Sequence, residues 1–219
     1  MKKLLLLLAF LATSSLVSFG QKIGVKAGIT FPTIATKSDY ILQDAPNALD
    51  YQSRTSYFAG ATVDFDISKS FAIQTGLSFI GKGADYTVIL SGATFSTKTK
   101  LYYLELPVNA IYKIPVKFGK IFLGGGPYYA YALEGKNKYI FDQTHYNMEP
   151  QNVDISFGKN KDLKAGDFGL NFLAGFELNN RINIQAGYGL GLRSITSDGI
   201  THYSEKNRII SLGLGYSFK

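Results

Sequence analysis

Apolar and polar residues alternate with a period of two along most of this chain. Ile23, Val25, Ala27, Ile29 and Phe31 are apolar, and Lys22, Gly24, Lys26, Gly28 and Thr30 between them are small or polar. Neighbouring side chains of a strand point to opposite faces, so this pattern predicts a strand between two different media. The pattern returns over Ser56 to Ile67, with Tyr57, Ala59, Ala61, Val63, Phe65 and Ile67 on one face. A tight turn at Ser68-Lys69-Ser70 leads to a third strand. There Phe71, Ile73, Thr75, Leu77 and Phe79 face one way, and Ala72, Gln74, Gly76, Ser78 and Lys82 the other. A fourth strand, Leu101 to Lys113, sets Tyr102, Leu104, Leu106, Val108, Ala110 and Tyr112 against Tyr103, Glu105, Pro107, Asn109 and Ile111. Pro107 lacks a ladder donor, so an irregularity is expected there.

The fifth strand, Lys120 to Leu133, is blurred by Gly124-Gly125-Gly126-Pro127, a run that predicts a bend, a bulge or close backbone approach. Phe168 to Leu178, Ile182 to Leu192 and Arg208 to Phe218 then alternate cleanly, the first two joined at Asn179-Asn180-Arg181. In the last of these, Ile210, Leu212, Leu214, Tyr216 and Phe218 oppose Ser211, Gly213, Gly215 and Ser217. Tyr216 and Phe218, close to the end of the sequence, resemble the closing-strand signal of outer-membrane barrels.

Connection lengths supply a second pattern. Those after strands two, four and six are roughly three to seven residues, and the others, about 33–55, 83–100, 134–166 and 193–207, run from roughly 14 to over 30. Short turns on one rim and long loops on the other fit an eight-stranded antiparallel up-and-down transmembrane β-barrel with four long extracellular loops and short periplasmic turns. The outward positions hold almost no charge. The inward ones hold Lys26, Asp64, Asp66, Lys82, Glu105, Glu177 and Arg193. A soluble ligand-carrying barrel would show the opposite segregation. In hydrocarbon every backbone polar group must be paired, so a spanning sheet has to close. Tyr and Phe near the strand ends fit interfacial belts.

Eight strands leave an interior that side chains can fill, and charges buried there should pair. The expected lumen network is Lys26, Asp64, Gln74, Lys82, Glu105, Asn109, Asn171, Glu177, Gln185 and Arg193. Within it Glu105 is expected to meet Lys26 or Lys82 across the lumen.

Composition narrows the setting. The 219 residues include no Cys, so no disulfide framework exists. Past the N-terminus no apolar run approaches the roughly 20 residues of a membrane helix. The start reads as a secretory signal, residues 1–20, with Lys2 and Lys3 ahead of an apolar core from Leu4 to Ala12 and cleavage expected before Gln21. Residues 21–219 would then form one barrel domain. The formal charge of +7 includes those two lysines. No dense basic run with interleaved aromatics points to nucleic acid.

Candidate chemistry is sparse. His202-Tyr203-Ser204-Glu205 is the one His/Ser/acid cluster and superficially resembles the His-x-Ser of lipid A deacylases, although Glu205 faces away from His202 and Ser204 in a strand. Neither histidine has partners at metal-ligand spacing, no phosphate loop is present, and no cofactor is expected. The segment 134–166, with Tyr139, Phe141, His145, Tyr146 and Phe157, reads either as a binding loop or as a hairpin extending the barrel upward.

Gly20-Gln21, Ile23-Gly24-Val25-Lys26-Ala27-Gly28, Tyr103-Leu104-Glu105-Leu106-Pro107-Val108 and Gly187-Tyr188-Gly189-Leu190-Gly191-Leu192 together resemble PorT-like outer-membrane β-barrel proteins of the porin family. The resemblance covers essentially the whole mature chain and implies location and architecture. Some members are linked to protein secretion, and most have no assigned activity. Three functions follow as expectations: a non-enzymatic barrel presenting surface loops for envelope structure, adhesion or a secretion assembly; a small-solute pore; and, more remotely, a lipid A-modifying hydrolase. The expected partners are outer-membrane lipid and lipopolysaccharide, the barrel-assembly machinery during insertion, and a surface or secretion partner through the loops.

Overall fold

The computed structural model describes residues 21–38, 50–90, 93–141, 148–197 and 203–218. Its strands are β1 (Gln21–Ser38), β2 (Asp50–Gln52), β3 (Ser56–Asp66), β4 (Phe71–Leu90), β5 (Ala93–Val116), β6 (Gly119–Phe141), β7 (Gln151–Asp154), β8 (Gly166–Leu178), β9 (Ile182–Gly191) and β10 (Tyr203–Ser217). Eight of them form a closed antiparallel ring, β1-β3-β4-β5-β6-β8-β9-β10, sealed where β1 pairs with β10 from Gly24↔Ser217 to Ser38↔Tyr203. The short β2 and β7 add to the upper parts of β4 and β6.

The alternation of the sequence becomes the two faces of the cylinder. Ile23, Val25, Ile29, Leu104, Leu106, Val108, Leu212 and Leu214 are exposed on the outside. Thr30, Asp64, Lys82, Glu105, Asn109 and Lys113 are buried inside, together with Phe58, Tyr103, Ile111 and Tyr128. Between Tyr102 and Tyr112 the outward residues of β5 are Leu104, Leu106, Val108 and Ala110. Ten residues at about 3.3 Å each, tilted by about 40°, rise about 25 Å, which matches the apolar band of outer-membrane barrels.

Three lower turns join the strands as expected. Ser68 Oγ accepts from Phe71 N at 3.1 Å and from Ser70 N at 3.3 Å. Arg181 adopts φ 73° in the turn to β9, where Asn180 Oδ1 accepts from Ile182 N. The upper connections differ from the expectation of long loops. β4 runs on to Leu90 and β5 begins at Ala93, paired from Leu90↔Ala93 downward, so most of 83–100 is ladder. β6 continues to Phe141, β1 to Ser38, and β10 opens at Tyr203. The sequence-based boundaries follow the apolar outer face, which ends with the bilayer; above it both faces of a hairpin can be wet while the ladder continues.

Two irregularities shape β5 and β6. The β4–β5 ladder lacks the Gly76–Pro107 and Leu77–Leu106 pairs, yet the register is the same on both sides of the gap, and Thr75 Oγ1 donates to Pro107 O at 2.8 Å. The register between β5 and β6 shifts by one at Tyr102/Tyr103. Even-numbered residues of β6 face inward below this bulge, and Gly135 and Asn137 take the inward face above it. The glycine run pairs with β8 without a register shift and serves close approach: a Cβ on Gly126 would fall on the Val108 carbonyl oxygen.

Candidate functional site: a sealed lumen beneath an open mouth

The lumen is occupied by two charge clusters with a small gap between them. In the upper cluster Lys82 Nζ lies 2.9 Å from Asp167 Oδ2 and 3.1 Å from Glu105 Oε2. It also sits 4.4 Å from the centre of the Tyr128 ring and 5.0 Å from that of Tyr103. Asp167 Oδ2 accepts from Asn207 Nδ2 at 2.9 Å and from Tyr128 Oη at 3.4 Å. Glu105 Oε1 accepts from Asn171 Nδ2 at 3.1 Å. Lys82 on β4 is thereby tied to β5, β6, β8 and, through Asp167, to β10. Two carboxylates and two ring faces together offset the cost of taking a cation out of bulk water.

In the lower cluster Asp64 Oδ2 accepts from Lys113 Nζ at 2.9 Å, and Asp64 Oδ1 from Gln74 Nε2 at 2.8 Å. Lys113 is 3.6 Å from Asp66 Oδ1, and Lys22 is 2.7 Å from Asp66 Oδ2 near the lower rim. Between the clusters lies a cavity of about 70 Å³, whose walls include Lys26, Glu105, Asn109, Asn171 and Gln185. A second, of about 30 Å³, is bounded by Lys26, Asp64, Gln74, Lys113, Glu177 and Gln185. Such spaces hold water and are too small for a sugar.

Above Lys82 the lumen turns apolar. Leu101, Tyr103, Ile155 and Ile195 belong to one buried cluster, with Phe157 and Leu163 packed on it. Ile155, Phe157, Leu163 and Ile195 come from the connections and are drawn inward by backbone bonds: Ile155 N to Gly135 O at 2.8 Å, Lys164 N to Ile195 O at 2.8 Å, and Ile195 N to Glu205 O at 2.9 Å. Asp162 Oδ2 accepts from both Ser156 Oγ and Ser156 N at 2.7 Å. The Oγ bond first, then the backbone bond, holds the Asp162 carboxyl below the usual carboxylate range. Over this floor opens a cup of about 680 Å³, walled by Tyr86, Tyr139, Asn137, Asp154, Lys161 and Glu205 among others.

The structure places Lys26, Asp64, Gln74, Lys82, Glu105, Asn109, Asn171, Glu177 and Gln185 around the lumen. Glu105 meets Lys82 from the adjacent strand, four residues along the ladder, instead of reaching across. Arg193 departs from the expected network. It follows β9, is exposed, and its Nη1 stands near Gly166 beside the outward ring of Tyr129. Its parity pointed inward, but the strand ends at Gly191 before that parity applies. Asp167, Lys113, Tyr103, Tyr128 and Asn207 complete the clusters and were not among the sequence candidates. Each lies on an inward parity, so carrying the alternation one residue past the stretches that begin at Phe168 and Arg208 would have found Asp167 and Asn207.

Among the described residues of 134–166 the extended hairpin is the arrangement seen. β6 continues through Tyr139, β7 pairs with it, and Phe157 packs edge-on against Tyr103 at 6.5 Å. His145, Tyr146 and His202 lie outside the described residues. Ser204 and Glu205 lie at the start of β10, just after Tyr203, with Glu205 N donating to Thr196 Oγ1 at 3.1 Å. Tyr216 and Phe218 meet edge-on at 5.1 Å, where Phe218 N donates to Ile23 O at 2.6 Å. Among the described residues no group of His, Cys, Asp or Glu could hold a metal ion.

Several solved barrels are similar to this one. The attachment invasion locus protein Ail of Yersinia pestis is 13% identical, with a TM-score of 0.40 over 91% of this chain and 99% of its own. Neisserial surface protein A is 13% identical, with a TM-score of 0.44 over 91% and 99%. The outer membrane protein OprG of Pseudomonas aeruginosa is 10% identical, with a TM-score of 0.47 over 91% and 96%. Among curated proteins no match was found. Residues 19–197 match the model of the outer membrane protein beta-barrel domain family. With most of its length matched and its sheet closed around a charged interior, the chain belongs to that family and resides in the bacterial outer membrane.

Proposed function

We propose that this barrel is a non-enzymatic, non-conducting scaffold that holds a raised crown of hairpins at the cell surface, where a partner in adhesion or in a secretion assembly docks. One observation carries the reading: the lumen is filled by two ion-pair clusters and an apolar floor, with internal spaces of only about 70 and 30 Å³. Meanwhile β5 continues nine residues beyond Tyr102, about 23 Å at the same pitch and tilt. Length outside the bilayer without a passage through it favours presentation over transport. The PorT-like motifs favour the secretion branch.

The test is capture of partners from detergent-solubilised outer membrane. The intact chain is compared with one whose β4–β5 hairpin is shortened at the Tyr86↔Thr97 pair and closed by a two-residue turn. The reading expects a protein that co-purifies with the intact chain and is lost with the crown. Equal capture by both would contradict it. In planar bilayers we expect no steady unitary current; reproducible ohmic steps would favour the small-solute pore instead. Unchanged lipid A acylation in cells carrying His202→Ala is expected, and a change would revive the hydrolase.

A further inference from the structure

The outer faces of β5 and β6 carry four lysines in a block. Lys98 stands directly opposite Lys138, and Lys100 directly opposite Lys136; all four are exposed. Like charges directly opposite one another weaken a ladder, so the hairpin's own stability does not call for this arrangement. The flanking carboxylates offset only part of it. Asp85, beside Lys98, is taken by Arg54 at 3.0 Å. Glu134 holds Lys136 at 2.9 Å, and Asp154 stands opposite Lys136. Among the described residues no carboxylate lies within ion-pair distance of Lys98, Lys100 or Lys138.

The height of the block is set by the aromatic patch below it. Tyr102 stacks on Phe79 at 5.2 Å and lies 6.0 Å from Tyr57, all outward. Lys100 and Lys98 precede Tyr102 by two and four residues, about 5 and 10 Å above it at the usual rise and tilt. That is where lipid headgroups begin. Directly beneath runs the apolar strip of Leu104, Leu106, Tyr129 and Tyr131. A free anion would gain only the ammonium groups, whereas a lipid gains them and the strip together.

We propose that this lysine block is a docking site for the phosphates of a phosphorylated glycolipid in the surrounding outer leaflet, with the acyl chains lying down the strip. The proposal rests on the outer-membrane placement and is independent of whether the crown binds a protein.

Native mass spectrometry of the folded barrel in neutral detergent tests it. Three probes are compared: lipid A bearing two phosphates, the same lipid A with both phosphates removed, and inorganic phosphate. The wild-type chain should hold the phosphorylated lipid roughly tenfold more tightly than the dephosphorylated one. The Lys98→Gln/Lys100→Gln/Lys138→Gln variant should lose most of that preference. A variant with Lys69→Gln, Lys117→Gln and Lys159→Gln, which removes the same charge elsewhere, should keep it. Equal binding of the two lipids, or equal loss in both variants, would overturn the proposal. So would saturation by inorganic phosphate at the lipid's working concentration, which would mark a bare anion site. A protein that leaves with the first variant and excludes lipid A would assign the block to a protein partner and overturn it as well.

Discussion

Lys82 shows what one charge does inside a closed cylinder. Its ammonium is held by Glu105 and Asp167 and covered by two tyrosine rings. Removing one member of such a cluster leaves the others buried and uncompensated, at a cost of about 3–5 kcal/mol. Lys82→Met should lose stability on that scale in urea unfolding from vesicles. The triple change Lys82→Met/Glu105→Gln/Asp167→Asn should lose much less than the sum of its parts. Independent, additive losses would show that the three do not form one unit. Asp162 gives a pH dependence of known sign. Its folded carboxyl is below the ordinary range because Ser156 donates to it, so the turn it caps is stabilised above the unfolded carboxylate pKa. That contribution is lost as pH falls through the lower, folded value. The protection of the Ser156 amide against exchange should therefore drop on acidification in the wild type and be low and flat in Asp162→Ala. A pH-dependent drop of equal size in the variant would remove Asp162 from the role. Such residues were partly legible from sequence: Lys82 and Glu105 stand out as charges on a face whose other side is apolar. Asp167 lay just outside the stretch where that contrast exists.

At the scale of elements, the lower turns and the alternating faces were legible because period, turn residues and the hydrocarbon slab all act locally. The upper extensions were not. Beyond Tyr102 and Phe79 the outer face leaves the hydrocarbon, Lys98 and Lys100 stand where leucines stood below, and the two-medium contrast that marks a spanning strand vanishes while hydrogen bonding continues. Glycines divide in the same way between needed and incidental. At Gly126 a Cβ would strike the backbone of β5 at Val108, whereas at Gly189 the nearest atom is Asn171 Oδ1 at 3.4 Å. Gly126→Ala should cost about 1–3 kcal/mol as overpacking, and Gly189→Ala should stay within about 0.5 kcal/mol, both read from the folded fraction in urea. Equal effects would mean that strand spacing in the barrel is soft enough to absorb a methyl group anywhere. Pro107 was expected to disturb its strand and does so by omission of pairs alone. The register shift instead lies at Tyr102/Tyr103, and no residue there advertises a bulge.

For the whole molecule, closure is what links these parts. Pairing of β1 with β10 leaves no open edge in lipid, confines the ionised side chains to a space they fill, and lifts the remaining strand length out of the bilayer as a crown. Each consequence depends on which face of the sheet touches acyl chains. The chain contains no cysteine, so single cysteines can be placed along β5 at Leu104, Glu105, Leu106, Val108, Asn109 and Ala110 and spin-labelled in the folded, membrane-inserted barrel. Collision with oxygen dissolved in the bilayer should be high at Leu104, Leu106, Val108 and Ala110 and low at Glu105 and Asn109, a period of two in phase with the apolar face. The reverse phase, or oxygen accessibility that does not alternate along β5, would contradict the account at its root.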